Sequence, residues 1–244
     1  MIEKNEVEPI FGIKFTNISM QELIKNCFSG SLLNKVIVTP NVDHVVRFAK
    51  DQEFKNIYAK ADVTVNDSRI LKILSRLCRK PIKNLIPGSD LTKLLFDELK
   101  GSPQPVCIIG CDSAVIAKLR EKYPKIKIDH YNPPMGFIHS ENEVDKCIEY
   151  CSKSNATIFF LAVGSPRQEI LAQKLKALNL NACYFCIGAS ILFLTGDEKR
   201  APKFMQKLAL EWLFRLLQSP KRLAKRYLVD GIKIFPIFIK ELRK

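Results

Sequence analysis

Asp67 is the residue of this chain best suited by its surroundings to move a proton. It closes the segment Ala61-Asp62-Val63-Thr64-Val65-Asn66-Asp67, a short apolar run that ends in polar residues and is followed by Ser68 and Arg69. A carboxylate at the end of a buried strand, flanked by small polar residues, is expected in a cleft, where it can accept a proton from an attacking hydroxyl. Aspartate is equally a favoured helix N-cap, and a helix beginning near Ser68 would use it that way. Spacing alone does not separate the two roles. Three more polar stretches follow apolar runs: Thr39-Pro40-Asn41, Gly110-Cys111-Asp112-Ser113 and Gly164-Ser165-Pro166-Arg167-Gln168-Glu169. Gly110 and Gly164 permit close backbone approach, and helices starting after them would offer free N–H groups to a phosphate. No G-x-G-x-x-G or P-loop pattern is present, so glycine spacing by itself carries little. His44, His130 and His139 lie far apart, and there is no Asp-x-Asp pair to hold a metal-bound diphosphate.

The last fifth of the chain supplies the complementary charge. Residues 199 to 244 carry thirteen Lys and Arg against Glu211, Asp230 and Glu241, which is +10 of the total +14. These cations alternate with apolar residues, a combination suited to an anionic membrane surface or a lipid-linked phosphate. A nucleotide-sugar leaving group departs with negative charge on its diphosphate. Without a divalent ion, arginine, lysine or helix N-termini must neutralise it. A basic tail folded back over the strand ends could do so.

The elements that must position these groups read as βαβ units, with short apolar runs alternating with amphipathic stretches. The clearest strands are 36–39, 63–65, 106–109, 157–163 and 183–187. They lack strict alternation, as expected for a parallel sheet covered on both faces. Ser19 with Glu22 and Ser140 with Glu143 form capping-box patterns. Ser165-Pro166 places a cap and then proline at the first helical position, with Gln168 at the third. The expected class is α/β: a Rossmann-like, mostly parallel sheet with helices on both faces, plus a basic amphipathic helical C-terminal appendage. A break near Gly196 divides a body, 1–196, from an appendage, 197–244. Deleting the appendage is expected to leave a soluble body without membrane affinity. Within the tail, Met205, Leu208, Ala209, Trp212, Leu213, Leu216 and Leu217 form one apolar face at helical spacing. Ser219-Pro220 starts a second helix, Asp230-Gly231 interrupts it, and Ile232–Ile239 is a greasy segment bounded by lysines.

No window approaches ~18 uncharged apolar residues, so no transmembrane helix is expected. Met1–Glu6 is polar and does not read as a signal peptide. The expected location is cytoplasmic, peripheral at the inner face of the cell membrane. The eight cysteines sit mostly in apolar runs. Cys183 and Cys186 have C-x-x-C spacing, but three residues along a strand point to opposite faces, which is poor geometry for one metal. Buried free thiols are the expectation, with no metal and no cofactor.

Four blocks then resemble one family, the WecG/TagA/CpsF glycosyltransferases (glycosyltransferase family 26). Thr39-Pro40-Asn41 is similar to its T-P-N, Ala61–Asp67 to its A-D-x-x-x-x-D, and Gly164–Glu169 to its G-x-P-x-Q-E. Arg200-Ala201-Pro202, Glu211-Trp212-Leu213-Phe214-Arg215-Leu216 and Pro220-Lys221-Arg222-Leu223 are similar to its tail signature. Order and spacing agree over roughly residues 10 to 230. The resemblance implies an inverting, metal-independent transfer from a UDP-sugar donor, of N-acetylmannosamine type, to a lipid-linked sugar acceptor, a sugar on a polyprenyl diphosphate. It implies Asp67 as base. Thr39, Asn41 and Gln168 become substrate-pocket positions, and Arg215, Arg222, Lys225 and Arg226 become groups that hold diphosphate. Gly110 and Gly164 from the loop reading, and Pro166, Glu169 and Arg200 from the quoted blocks, are expected to bind substrate beside them. This chain departs from the family at Ser68 (usually glycine), Leu85 (an arginine) and Leu192 (an aspartate), which bears on the donor sugar.

Two other classes compete. A nucleic-acid-binding protein is suggested by net charge, but the cations sit among Ile, Leu and Phe rather than with exposed stacking aromatics; no nucleic-acid partner is expected. A non-catalytic membrane scaffold on the same fold would bind no UDP-sugar. Oligomeric state is open, a homo-oligomer being one way to cover the apolar tail.

Overall fold

The computed structural model describes residues 9–244; the reading of Met1–Glu6 falls outside the described residues. Branched and aromatic runs form β1 (Val36–Val38), β2 (Val63–Thr64), β3 (Val106–Ile109), β4 (Ile128–Tyr131), β5 (Ile158–Leu161) and β6 (Cys183–Cys186). They pair in one all-parallel sheet in the order β2-β1-β6-β5-β3-β4. Five of these strands stand where the apolar runs put them. β4 was not expected: of Ile128-Asp129-His130-Tyr131 only Ile128 is buried, because an edge strand needs no continuous apolar run.

Side chains alternate between two cores. Val106 and Ile108 enter one, Cys107 and Ile109 the other, and β5 and β6 repeat the pattern. Cys183 and Cys186 accordingly fall in different cores, and all eight cysteines are free. One face is covered by α1 (Met20–Phe28), α5 (Gly88–Leu99), α6 (Ser113–Lys122) and α9 (Ser190–Thr195). The other is covered by α3 (Gln52–Ala59), α7 (Glu141–Lys153) and α8 (Arg167–Ala177). The capping box of Ser19 and Glu22 forms in full. Pro166 does not take the first helical position: α8 begins at Arg167, Pro166 stands at its cap, and the Ser165–Pro166 peptide is cis.

The chain leaves neighbouring strands toward opposite faces repeatedly. β1 feeds the helices of one face and β6 feeds α9 on the other; β3 feeds α6 while β5 feeds α8. Such reversals open crevices at the carboxyl ends of the strands.

The tail is helical but more broken than its periodicity suggests. α10 (Lys203–Lys207) and α11 (Glu211–Gln218) are separate, because Ala209 takes φ 61°. The N–H groups of Ala209 and Leu210 return to Gln206 and Met205, a Schellman turn with alanine in the left-handed position. After α12 (Pro220–Ala224), Asp230-Gly231 does not stop the chain. It winds through a wide π turn (225–230) and a tight 3-10 turn (231–233) into α13 (Ile234–Leu242). Ile234 is buried with Val45, Val46, Leu71 and Leu74, so α13 docks on α2 (Val42–Lys50) and α4 (Arg69–Leu77). A chain ending at Gly196, where α9 stops with φ 83°, would uncover that apolar cluster. The packing therefore changes the expected outcome of truncation: the shortened protein should self-associate in size-exclusion chromatography, and a monodisperse monomer would contradict this. Among the described residues no helix is long and apolar enough to cross a membrane.

Candidate active site

The N-cap of α4 is Ser68, whose Oγ accepts from the Leu71 N–H at 3.3 Å. Asp67 is thereby released from the capping role that competed with chemistry. Its Oδ1 accepts from the Gly88 N–H at 2.7 Å and its Oδ2 from Asn41 Nδ2 at 3.4 Å. Asn41 caps α2, its Oδ1 accepting from the Asp43 N–H at 3.1 Å. Thr39 Oγ1 donates to the Cys186 carbonyl at 3.3 Å. A Cβ on Gly88 would lie 3.3 Å from both Thr39 Oγ1 and Ser190 Oγ, so these two hydroxyls and Asp67 converge around Gly88. Burial pushes the half-buried Asp67 carboxyl up from the usual 3.8 to about 6. The Gly88 and Asn41 hydrogen bonds oppose that rise, Glu211 adds to it and Arg215 reduces it. A carboxyl of this kind is poised to take a proton near neutral pH.

The other glycine-loop positions are used differently from the sequence expectation. Gly110 takes φ 97°, and a Cβ there would come within 2.9 Å of the Ala162 carbonyl carbon and Val163 Cγ1. Its missing side chain makes room for the end of β5 rather than for a phosphate. Gly164 also has positive φ, 77°, and faces the Arg167 guanidinium. Gln168 and Glu169 are buried, not open to a ligand. Gln168 Oε1 accepts from the Gly188 N–H at 2.9 Å, and Gln168 Nε2 and the Tyr58 hydroxyl donate to Glu169 Oε1 at 3.0 and 3.4 Å. The pair braces α8 against the loop after β6 and against α3. Burial holds the Glu169 carboxyl above the ordinary range.

The tail does fold over the strand ends, and its cations split into two groups. Arg200 donates to Ser89 Oγ and Asp90 Oδ1, both at 2.6 Å, beside the Gly88 that holds Asp67, and its Nε lies 3.4 Å from Glu211. Arg215 reaches Glu198 at 3.3 Å. Both guanidiniums lie over the Phe193 ring, 5.9 and 5.3 Å from its centre. Farther out, Arg226 pairs with Asp43 at 3.5 Å, and Lys225, Arg226, Arg47, Lys50 and Arg222 line a 430 Å³ cleft with Asp43. Arg222 also pairs with Glu198 at 2.6 Å and borders a second cleft of 680 Å³ with Leu192. Asp67 lines neither cleft. Of the family departures, Ser68 caps α4, Leu85 is half-buried beside Ile86, and Leu192 forms part of this second cleft.

Three contributors have no site role in the sequence reading. The Gly88 N–H is legible as a helix start after Pro87, His44 stands three residues after Asn41, and Glu211 heads a tail block with no local sign of its nearness to Asp67. Among the described residues no three His, Cys, Asp or Glu side chains gather as metal ligands.

The fold is a Rossmann-like α/β sheet with the half-buried Asp67 beyond a strand end and Arg215 of the tail near enough to lower its pKa. The chain belongs to the glycosyl transferase WecG/TagA/CpsF family, whose model matches residues 8–244. Two relatives that carry the name N-acetylglucosaminyldiphosphoundecaprenol N-acetyl-beta-D-mannosaminyltransferase illustrate the likeness. That of Bacillus spizizenii is 30% identical over 224 residues, covering 89% of this chain and 85% of the relative. That of Staphylococcus aureus is 25% identical over 243 residues, covering 96% and 91%.

Proposed function

We propose that this glycosyltransferase moves a sugar of the N-acetylmannosamine type from a UDP-sugar to a sugar on a polyprenyl diphosphate, in synthesis of a bacterial cell-surface polymer. The relatives' names supply the sugar and the acceptor class. The observation that carries the chemistry is the half-buried Asp67, held by the Gly88 N–H and the Asn41 amide beside the arginines of the tail. Asp67 accepts the proton of the acceptor hydroxyl as its oxygen attacks the anomeric carbon. The bond from that carbon to the UDP oxygen breaks, and a single displacement inverts the configuration. Arg200 and Arg215, with Arg222, Lys225 and Arg226 farther out, balance the charge that develops on the diphosphate, so no divalent ion is required.

The appendage, 197–244, also brings the body to the lipid surface. Phe204, Leu208, Leu217, Leu228, Val229, Ile232, Phe235, Ile239 and Leu242 are exposed on it. Among the described residues Lys203, Lys207, Lys221, Lys225, Lys240 and Arg243 make no ion pair within it or with the body. Apolar side chains interleaved with free cations favour an anionic bilayer face, here the cytoplasmic one.

The test is UDP release from several UDP-sugars, with a short-chain prenyl-diphosphate N-acetylglucosamine acceptor, with and without EDTA. UDP-N-acetylmannosamine is expected to give the fastest release, unchanged by EDTA. A rate that collapses in EDTA and returns with magnesium would remove the arginines from the metal's role. Release from no donor would favour a non-catalytic scaffold.

A further inference from the structure

Behind Asp67 runs a line of polar contacts that the transfer step does not itself use. Asn41 Nδ2 donates to Asp67, while Asn41 Oδ1 lies 3.1 Å from the Asp43 nitrogen and 2.9 Å from His44 Nδ1. A carboxamide has a donor end and an acceptor end, and only the donor end suits an ionised carboxylate. With Nδ2 turned to Asp67, Oδ1 must face His44. A bare Nδ1 would then set two lone pairs against each other at 2.9 Å, whereas a protonated Nδ1 donates. The Asn41 backbone N–H also points at Nδ1, at 3.3 Å, and would suit the opposite tautomer. The shorter contact, and the charge on Asp67, favour the proton on Nδ1.

The imidazole is buried against the Phe54 and Tyr58 rings, with centroids at 6.1 and 5.8 Å. Burial first, then the nearby Arg226 and Arg47, hold it neutral, its pKa lowered to about 3. A neutral imidazole has one N–H, so its placement is a choice between two states.

We propose that His44 is a positioning residue: with its proton on Nδ1 it locks the Asn41 amide, which in turn holds the Asp67 carboxylate in its ionised, aimed form. The inference rests on the reading of Asp67 as base. The groups around the pair are otherwise accounted for. Asp67 faces the Gly88 N–H of α5 and, from the tail, Glu211 and Arg215. His44 faces Arg47 of its own helix, Tyr58 of α3 and Arg226 of the tail; both arginines pair with Asp43, and Tyr58 is itself engaged with Glu169 of α8. Changing His44 also removes the capping contact from the Asn41 N–H, on which the tautomer readout does not depend.

Two measurements on the full chain test it. Nitrogen-15 NMR of the histidine rings at pH 8 should show His44 protonated at Nδ1 and bare at Nε2, with its resonance assigned by elimination from His130→Gln and His139→Gln, the other two histidines of the chain. The reverse tautomer overturns the proposal, and this readout needs no activity. His44→Phe keeps a ring and removes the donor. Its kcat should fall about tenfold with KM for both substrates within about twofold, the scale of one charge-assisted hydrogen bond. The acid limb of kcat/KM should move up by about one pH unit, since the ionised carboxylate loses its support. An equal loss at every pH, or an unmoved limb, would mean a merely structural histidine. Full turnover in Asp67→Asn would instead sink the base reading, whatever the tautomer. Should His44→Phe fail to fold, the tautomer alone decides.

Discussion

Asp67→Asn is expected to lower turnover about a thousandfold, the scale of a lost general base, and to make the protein more stable at the same time. Asparagine keeps an oxygen for the Gly88 N–H and has nearly the same volume, so the change removes charge and basicity without opening a cavity; its NH2 group replaces the oxygen that accepts from Asn41 Nδ2 and gives up that 3.4 Å hydrogen bond. The folded-state pKa of about 6 lies above the usual 3.8, chiefly through burial. The folded protein therefore favours the protonated carboxyl. Ionisation costs nothing below about pH 4, costs progressively more as pH rises toward 6, and is fully unfavourable above it. At pH 8 the penalty amounts to about 3 kcal/mol. Denaturant unfolding should show Asp67→Asn more stable at pH 8 than at pH 3.5, relative to wild type, by up to that amount, with a loss of about 1 kcal/mol for the Asn41 hydrogen bond at both. The wild-type rate should fall as pH drops through 6. A variant that turns over like the wild type would take Asp67 out of the chemistry, and one that is inactive but less stable at pH 8 would show that the carboxylate is not a strained group.

Arg215→Ala should reduce kcat/KM by about a hundredfold or more, the range for removing one preorganised charge that stabilises a leaving group. Arg215 is held by Glu198 and by the Phe193 ring, so the guanidinium is in place before substrate arrives. Its charge also lowers the Asp67 pKa, opposing Glu211. Removing it should move the acid limb of the rate profile above pH 6, which loss of substrate affinity alone would not do. Lysine should rescue poorly, because a point charge reproduces neither the fork nor the stacking. Turnover within about twofold of wild type would leave the tail without a part in the reaction.

How far these features were legible depended on range. Strands β1, β3, β5 and β6 could be read because each is a local apolar run whose both faces are covered; β4 could not, because at the edge Asp129, His130 and Tyr131 are only partly buried and need not be apolar. The Thr39-Pro40-Asn41 and Asp67 blocks could be placed at strand ends by the same local pattern. Gln168 and Glu169 belong to a block equally rich in polar residues, yet fold inward to brace α8. Nothing in their spacing distinguishes a ligand pocket from an internal hydrogen-bond network, since both require polar side chains near a strand tip.

By itself the chain's order of residues determined the α/β class, the positions of most strands, the polarity of the loops at their ends and the concentration of positive charge near the carboxyl terminus. Those properties depend on neighbours within a few positions. Only the tertiary structure decided that Gly88 holds Asp67, that Glu211 and Arg215 tune it from the tail, that Gly110 makes room for β5, and that His44 stands behind Asn41. Proton affinity and packing are set by which remote groups the fold brings within a few ångströms and how much water it removes, and local spacing contains neither distance.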